Sequence, residues 1–140
     1  MNQKALITEI MSKNPVTIEP SKSLYDVEDL LNRHSIRHIP VVEGDRLIGV
    51  ISRSDLLRIS VTDLNEEEDG VESVIYDNYS ISQVMTKMPV FIGVDYTIKE
   101  AAKLLSQQSF HSLPVVEEGK LVGIVTSGDL INYLIKLHEE

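Results

Sequence analysis

Apolar residues recur at helical spacing in two stretches, Leu24, Val27, Leu30 and Leu31, and Ile98, Ala101, Ala102, Leu104 and Leu105. Steps of three and four predict amphipathic helices, with Leu24/Val27/Leu31 and Ile98/Ala102/Leu105 as the core stripes. Ser23-x-x-Asp26 and Thr97-x-x-Glu100 stand at their starts as capping boxes, the acid reaching back to the cap residue. A short β run precedes each helix, Val16–Ile18 or Val90–Ile92. Two more follow it, Ile39–Val42 with Leu47–Ile51, and Leu113–Val116 with Leu121–Val125. The joints Glu43-Gly44-Asp45-Arg46 and Glu117-Glu118-Gly119-Lys120 carry glycine and read as hairpin turns. A last helix opens at Asp55 or Asp129, with Leu56 and Leu57 or Leu130, Ile131 and Leu134. Ahead of everything, Ile7, Ile10 and Met11, and again Ile81, Val84 and Met85, mark short amphipathic segments that stop before Pro15 and Pro89.

The two stretches are copies. An offset of 74 aligns residues 7–57 with 81–131 without a gap, and 17 of the 51 pairs are identical, among them Met11/Met85, Pro15/Pro89, Pro40/Pro114, Gly49/Gly123 and Asp55/Asp129. Each copy reads strand–helix–strand–strand–helix. A unit of about 50 residues buries too little surface to be stable alone. The expected fold is therefore α+β: two such repeats packed sheet to sheet about a pseudo-twofold axis. Residues 1–59 would form the first repeat, 60–80 an acidic linker and 81–140 the second repeat.

Charge sharpens that division. The 140 residues hold 13 Lys+Arg against 22 Asp+Glu, a net charge of −9. Seven of the acids (Asp63, Glu66, Glu67, Glu68, Asp69, Glu72 and Asp77) fall in residues 60–80, which contain no Lys or Arg. That segment reads as a solvated linker or as a docking tail for a basic partner, with Val71, Val74, Ile75 and Tyr76 packing as a helical turn. The rest is nearly neutral. The acidic balance argues against nucleic acid as a partner. Absence of cysteine excludes disulfides and thiolate chemistry. No apolar run suits a membrane helix and the start lacks signal-peptide character, so no membrane insertion and a cytoplasmic location are expected.

Little in the sequence points to catalysis. His34, His38, His111 and His138 have no metal-ligand spacing, and neither a nucleophile elbow nor a phosphate-binding glycine loop occurs. No catalytic residue, metal or catalytic cofactor is assigned. What does repeat is Gly49-Val-Ile-Ser52-Arg-Ser54-Asp55 and Gly123-Ile-Val-Thr126-Ser-Gly128-Asp129, each running off a strand into a helix. Ser52-x-x-Asp55 and Thr126-x-x-Asp129 make sense as helix caps alone. Equally, free N–H groups beside a hydroxyl and a carboxylate suit an anion and vicinal sugar hydroxyls. Spacing leaves both readings open.

The unit "NPVTI…SIRHIPVVEGDRLIGVISRSDLL", repeated as "MPVFI…SFHSLPVVEEGKLVGIVTSGDLI", resembles the cystathionine-β-synthase (CBS) domain, and the pair resembles a stand-alone tandem CBS, or Bateman, module. The resemblance implies a β-α-β-β-α fold per repeat, paired three-stranded sheets and two symmetry-related clefts. The ligands it implies are adenosine compounds: AMP, ADP, ATP, S-adenosylmethionine, NAD or a cyclic dinucleotide such as cyclic di-AMP. It further implies a homodimer and a regulatory role over a separate effector protein, with a ligand-free dimeric scaffold as the alternative. Position by position, Asp55 and Asp129 match the ribose-binding acid, Ser52 and Thr126 the hydroxyl three residues before it, and Ser54 a further hydroxyl. Val16-Thr17 and Val90-Phe91 match the strand flanking the adenine, and Ile39-Pro40 and Leu113-Pro114 the apolar wall opposite. Arg37 and His38 match a phosphate-meeting basic pair, whose first position in the second repeat is His111, and Arg53 lies beside them. Ser112 and Gly128 depart from the pattern, so the two clefts are expected to differ.

Overall fold

The computed structural model describes residues 4–62, 76–107 and 111–139. It is a mixed α+β fold that separates into two compact units, residues 16–89 and residues 1–15 with 90–140. We call these the first and second halves.

In the first half, β2 (His38–Glu43) and β3 (Arg46–Ser52) form an antiparallel hairpin, with His38 opposite Ser52 and a register irregularity between Val41 and Val42. Gly44 turns the chain at φ 65°. In the second half, β6 (Ser112–Glu117) and β7 (Lys120–Thr126) repeat the hairpin 74 residues on, with Ser112 opposite Thr126 and the irregularity between Val115 and Val116. Its turn takes Glu118 and Gly119 through φ 52° and 82°, both left-handed as a tight hairpin turn allows.

The leading strands are shorter than their sequence predicts. Only Ile18 bridges to Val41, its N–H donating to the Pro40 carbonyl at 3.1 Å and its carbonyl accepting from the Val42 N–H at 3.0 Å. The counterpart, β5 (Ile92–Gly93), runs parallel to Val115–Val116. The ladder also has no way to extend upstream, where Asn14 and Met88 take φ 54° and 49° and are followed by Pro15 and Pro89. Left-handed backbone and a residue without N–H cannot continue a ladder.

Helix α1 (Leu24–His34) buries Leu24, Val27 and Leu31 completely, capped by Ser23 and Asp26 as expected. Helix α4 (Ile98–Gln107) buries Ile98, Ala101 and Leu105, so Ala101 rather than Ala102 completes its stripe. Steps of three and four from Ile98 land on Ala101 and Leu105. Helices α2 (Arg53–Thr62) and α5 (Ser127–Leu137) follow β3 and β7.

The segments ahead of the repeats are exchanged. Ile7–Glu9 is one 3-10 turn, and with β1 (Ser12–Lys13) it belongs to the second half. The Ile7 N–H donates to the Tyr96 carbonyl at 2.9 Å, and Ile98 N–H to the Ala5 carbonyl at 2.9 Å. Ile7 is fully enclosed with Ile92, Ala101, Leu113, Val115 and Val125, and β1 pairs with Ile124 and Gly123. In the first half, α3 (Ile81–Val84) and β4 (Thr86–Lys87) fill the same role, with Ile81 enclosed among Leu24, Val27, Leu31, Ile39 and Ile51, and β4 against Gly49 and Val50. Each sheet thus gains a fourth lane beyond the three strands of its own repeat. Glycine is required at both crossings: a Cβ on Gly49 would sit 2.9 Å from the Thr86 carbonyl, and one on Gly123 2.9 Å from the Ser12 carbonyl. Met85 and Met11 lay their sulfur atoms over the same two glycines.

Most of the acidic stretch, including Asp63, Glu66–Asp69, Val71, Glu72, Val74 and Ile75, lies outside the described residues, as does Ser109. Tyr76 is buried in the first half, its hydroxyl donating to Glu28 at 2.5 Å and its ring edge-on to Tyr25 at 5.0 Å. Among the described residues no helix is long and apolar enough to cross a membrane.

Candidate functional site

Each half gathers its candidate residues where the hairpin ends and the following helix begins. In the first half the strand pairing sets His38 beside Ser52, and the Arg53 N–H donates to the Arg37 carbonyl at 3.0 Å. Arg37, His38, Ser52 and Arg53 therefore share one corner. The Arg53 guanidinium donates to Asn32 Oδ1 at 2.8 Å, which ties it to the end of α1. In the second half the Ser127 N–H donates to the His111 carbonyl at 2.9 Å, and Ser112 faces Thr126.

The hydroxyl and acid close capping boxes in both halves. Asp55 Oδ2 accepts from the Ser52 N–H at 2.9 Å and from Ser52 Oγ at 3.0 Å, while the Asp55 N–H donates to Ser52 Oγ at 3.1 Å. Asp129 Oδ2 accepts from the Thr126 N–H at 2.8 Å, and the Asp129 N–H donates to Thr126 Oγ1 at 3.1 Å. The boxes differ in their free edge. Asp55 is buried, and its Oδ1 accepts from the guanidinium of Arg58 one turn along α2. Asn132 stands at the corresponding place in α5, Asp129 is half-exposed, and among the described residues nothing engages its Oδ1. Sequence reasoning missed Arg58. Three residues on from the acid on a helix is within side-chain reach, and that spacing was the available signal.

The adenine-flanking positions are accessible: Val16 is half-buried and Thr17 exposed, while Val90 and Phe91 are 49% and 54% exposed. The proposed apolar wall is not. Ile39 and Leu113 are completely enclosed in the two cores, and Pro40 and Pro114 are buried. Alternation along a strand explains this only in part, because β2 and β6 each bury four consecutive residues of six. Ser54 and Gly128 are exposed on the first turns of α2 and α5. A separate groove of about 300 Å³ lies against α1, lined by Thr17, Glu19, Lys22, Asp26, Asp29 and Arg33 among others, and shares only Thr17 with the candidate site.

The CBS-domain family model matches residues 7–62 and 81–136, both repeats and most of the chain. The chain belongs to the CBS-domain family. An uncharacterised protein of Methanocaldococcus jannaschii is 35% identical over 93% of this chain and 91% of its own length. Among solved structures, CBSX2 of Arabidopsis thaliana in complex with AMP superposes with a TM-score of 0.80 at 27% identity, covering 95% of this chain and 98% of that one. The CBS domain pair of protein MJ0100, in complex with 5′-methylthioadenosine and S-adenosyl-L-methionine, gives 0.72 at 26% identity, over 93% of this chain and 99% of that one. In both repeats of this CBS chain the matched region contains the hydroxyl–acid corner just described.

Proposed function

We propose that this CBS pair is a regulatory adenosine-binding module, not an enzyme, in which ligand occupancy controls a separate partner protein. The observation carrying the reading is the twofold recurrence of one corner, a hydroxyl and a carboxylate at a helix start, in a half whose leading strand also presents accessible residues. A carboxylate accepts from vicinal ribose hydroxyls, and Ser52 and Thr126 offer the neighbouring polar group. Val16-Thr17 and Val90-Phe91 take the base. Backbone around Ile39-Pro40 and Leu113-Pro114, not their enclosed side chains, borders its other face. Arg37, His38, Arg53 and His111 meet phosphates. Support comes from relatives of similar length whose structures hold AMP, or methylthioadenosine and S-adenosylmethionine. AMP, ADP and ATP are the leading ligands, with NAD and cyclic di-AMP behind them.

Occupancy shifts the population of arrangements of the chain, which a partner reads. A homodimer fits the exposed apolar stripe Ile131, Leu134 and Ile135 on α5. The acidic stretch 60–80 is the place for a basic effector to dock.

The second reading, a ligand-free scaffold, is favoured by one fact: the capping boxes account for Ser52, Asp55, Thr126 and Asp129 with no ligand. Thermal melting separates the two. AMP at 100 times its dissociation constant is expected to stabilise the protein by about 2.7 kcal/mol. Asp129→Ala and Asp55→Ala are each expected to remove part of that shift. No shift with any adenosine ligand leaves the scaffold; a shift that both variants retain moves the site elsewhere.

A further inference from the structure

We propose that the two halves take different ligands: the first half binds a phosphate-bearing adenosine, and the second an uncharged adenosyl group whose base stacks on Phe91. This rests on the reading of both corners as adenosine sites.

Charge divides the corners. Arg37, His38 and Arg53 cluster in the first half through the Arg53–Arg37 backbone bond and the His38–Ser52 pairing, with Arg58 one turn beyond. Their counterparts 74 residues on are His111, Ser112, Ser127 and Asn132. Among the described residues these counterpart positions thus hold no arginine or lysine, and Ser112 is buried, facing Thr126. A phosphate there would exchange its water for one histidine and neutral dipoles; in the first corner it meets guanidinium groups that form charge-assisted bonds.

Apolar surface divides them the opposite way. Val90 and Phe91 are 49% and 54% exposed in the second half, where the first half has Val16 and Thr17. Asn14 and Met88 share the same left-handed backbone, so both leading segments follow one path and differ in the side chains they present. An exposed aromatic on the leading strand of the half that carries the accessible acid Asp129, at a corner without arginine or lysine among its described residues, suits a purine face and a sugar but not a phosphate.

Site-resolved titration tests this in the full chain, with amide ¹⁵N shifts at residues 52–55 and 126–129 reporting each half separately. AMP is expected to move residues 52–55 at concentrations about tenfold or more below those of adenosine, because the lost charge-assisted bonds are worth that much. Adenosine is expected to move residues 126–129 at least as well as AMP. Arg37→Gln with Arg53→Gln should erase the AMP preference of the first half and leave the second unchanged. Phe91→Thr should weaken both ligands about tenfold at the second half only. Both substituted arginines and Phe91 are accessible, and an unchanged melting temperature of each apo variant separates lost binding from lost fold. The same preference at both halves, or either variant acting on both, overturns the division while leaving the adenosine sites standing. Silence of both halves to both ligands brings down the adenosine reading itself.

Discussion

The two halves are near-copies in framework and unlike in chemistry. Their hairpins share register down to the irregularity at Val41/Val42 and Val115/Val116, and the same glycine-over-methionine crossing closes each sheet. At the strand ends they part, with Arg37, His38, Arg53 and Arg58 in one and His111, Ser112, Ser127 and Asn132 in the other. Framework positions are fixed by packing at crystal-like density, where one methylene is felt. Accessible corner positions carry no such constraint, so a duplicated framework can hold two different sites.

The largest test of the shared framework is at the exchanged segments. Ile7→Ala and Ile81→Ala each empty a fully enclosed position and are expected to cost about 2–5 kcal/mol in denaturant unfolding. Hydrogen exchange sharpens it. Ile7→Ala should loosen residues 112–126 before 38–52, and Ile81→Ala the reverse; the opposite pattern would refute the exchange of leading segments.

Next come the crossings. Gly49→Ala and Gly123→Ala place a methyl group 2.9 Å from a backbone carbonyl as well as against a methionine sulfur, and overpacking of this kind costs about 1–3 kcal/mol. Similar falls in melting temperature are expected from the two variants. A clear inequality would show that one crossing is looser than the other.

The smallest effect is at the exposed caps. The Ser23 backbone N–H and hydroxyl hold the Asp26 carboxyl below its usual 3.8, and the Thr97 backbone N–H and hydroxyl hold Glu100 below its usual 4.5. A depressed pKa means the folded state favours the ionised form. The contribution is present above the unfolded value and lost as pH falls through the folded one. Urea midpoints measured between neutral pH and the acid side of both values should show Asp26→Asn and Glu100→Gln losing less stability on acidification than the parent, by similar small amounts. An unchanged acid slope in either variant would remove that cap from the account.

Much of this was legible in the chain. The offset of 74 predicted two copies, the three-and-four spacing placed α1 and α4, and the hydroxyl–x–x–acid pattern located every capping box it named. Ser80-x-x-Gln83 at α3 follows the same rule, with Gln in place of the acid, and was not singled out. The site residues were named largely from likeness between the repeats and a family. Which of them are accessible was not legible: Ile39 and Leu113 look like any apolar strand residue, yet both are enclosed.

Local patterns determined the elements, because caps, turns and helical stripes depend on neighbours within about four residues in sequence. Family membership and duplication were likewise written in the order and spacing of residues. Only the tertiary structure decided that Ile7 completes the half built from residues 90–140 and Ile81 the half built from residues 16–89. It alone placed Arg58 on Asp55 and left Asp129 without such a partner. These outcomes depend on which cavity an apolar side chain fills and which direction a long side chain takes, and packing sets both only once the chain has closed on itself.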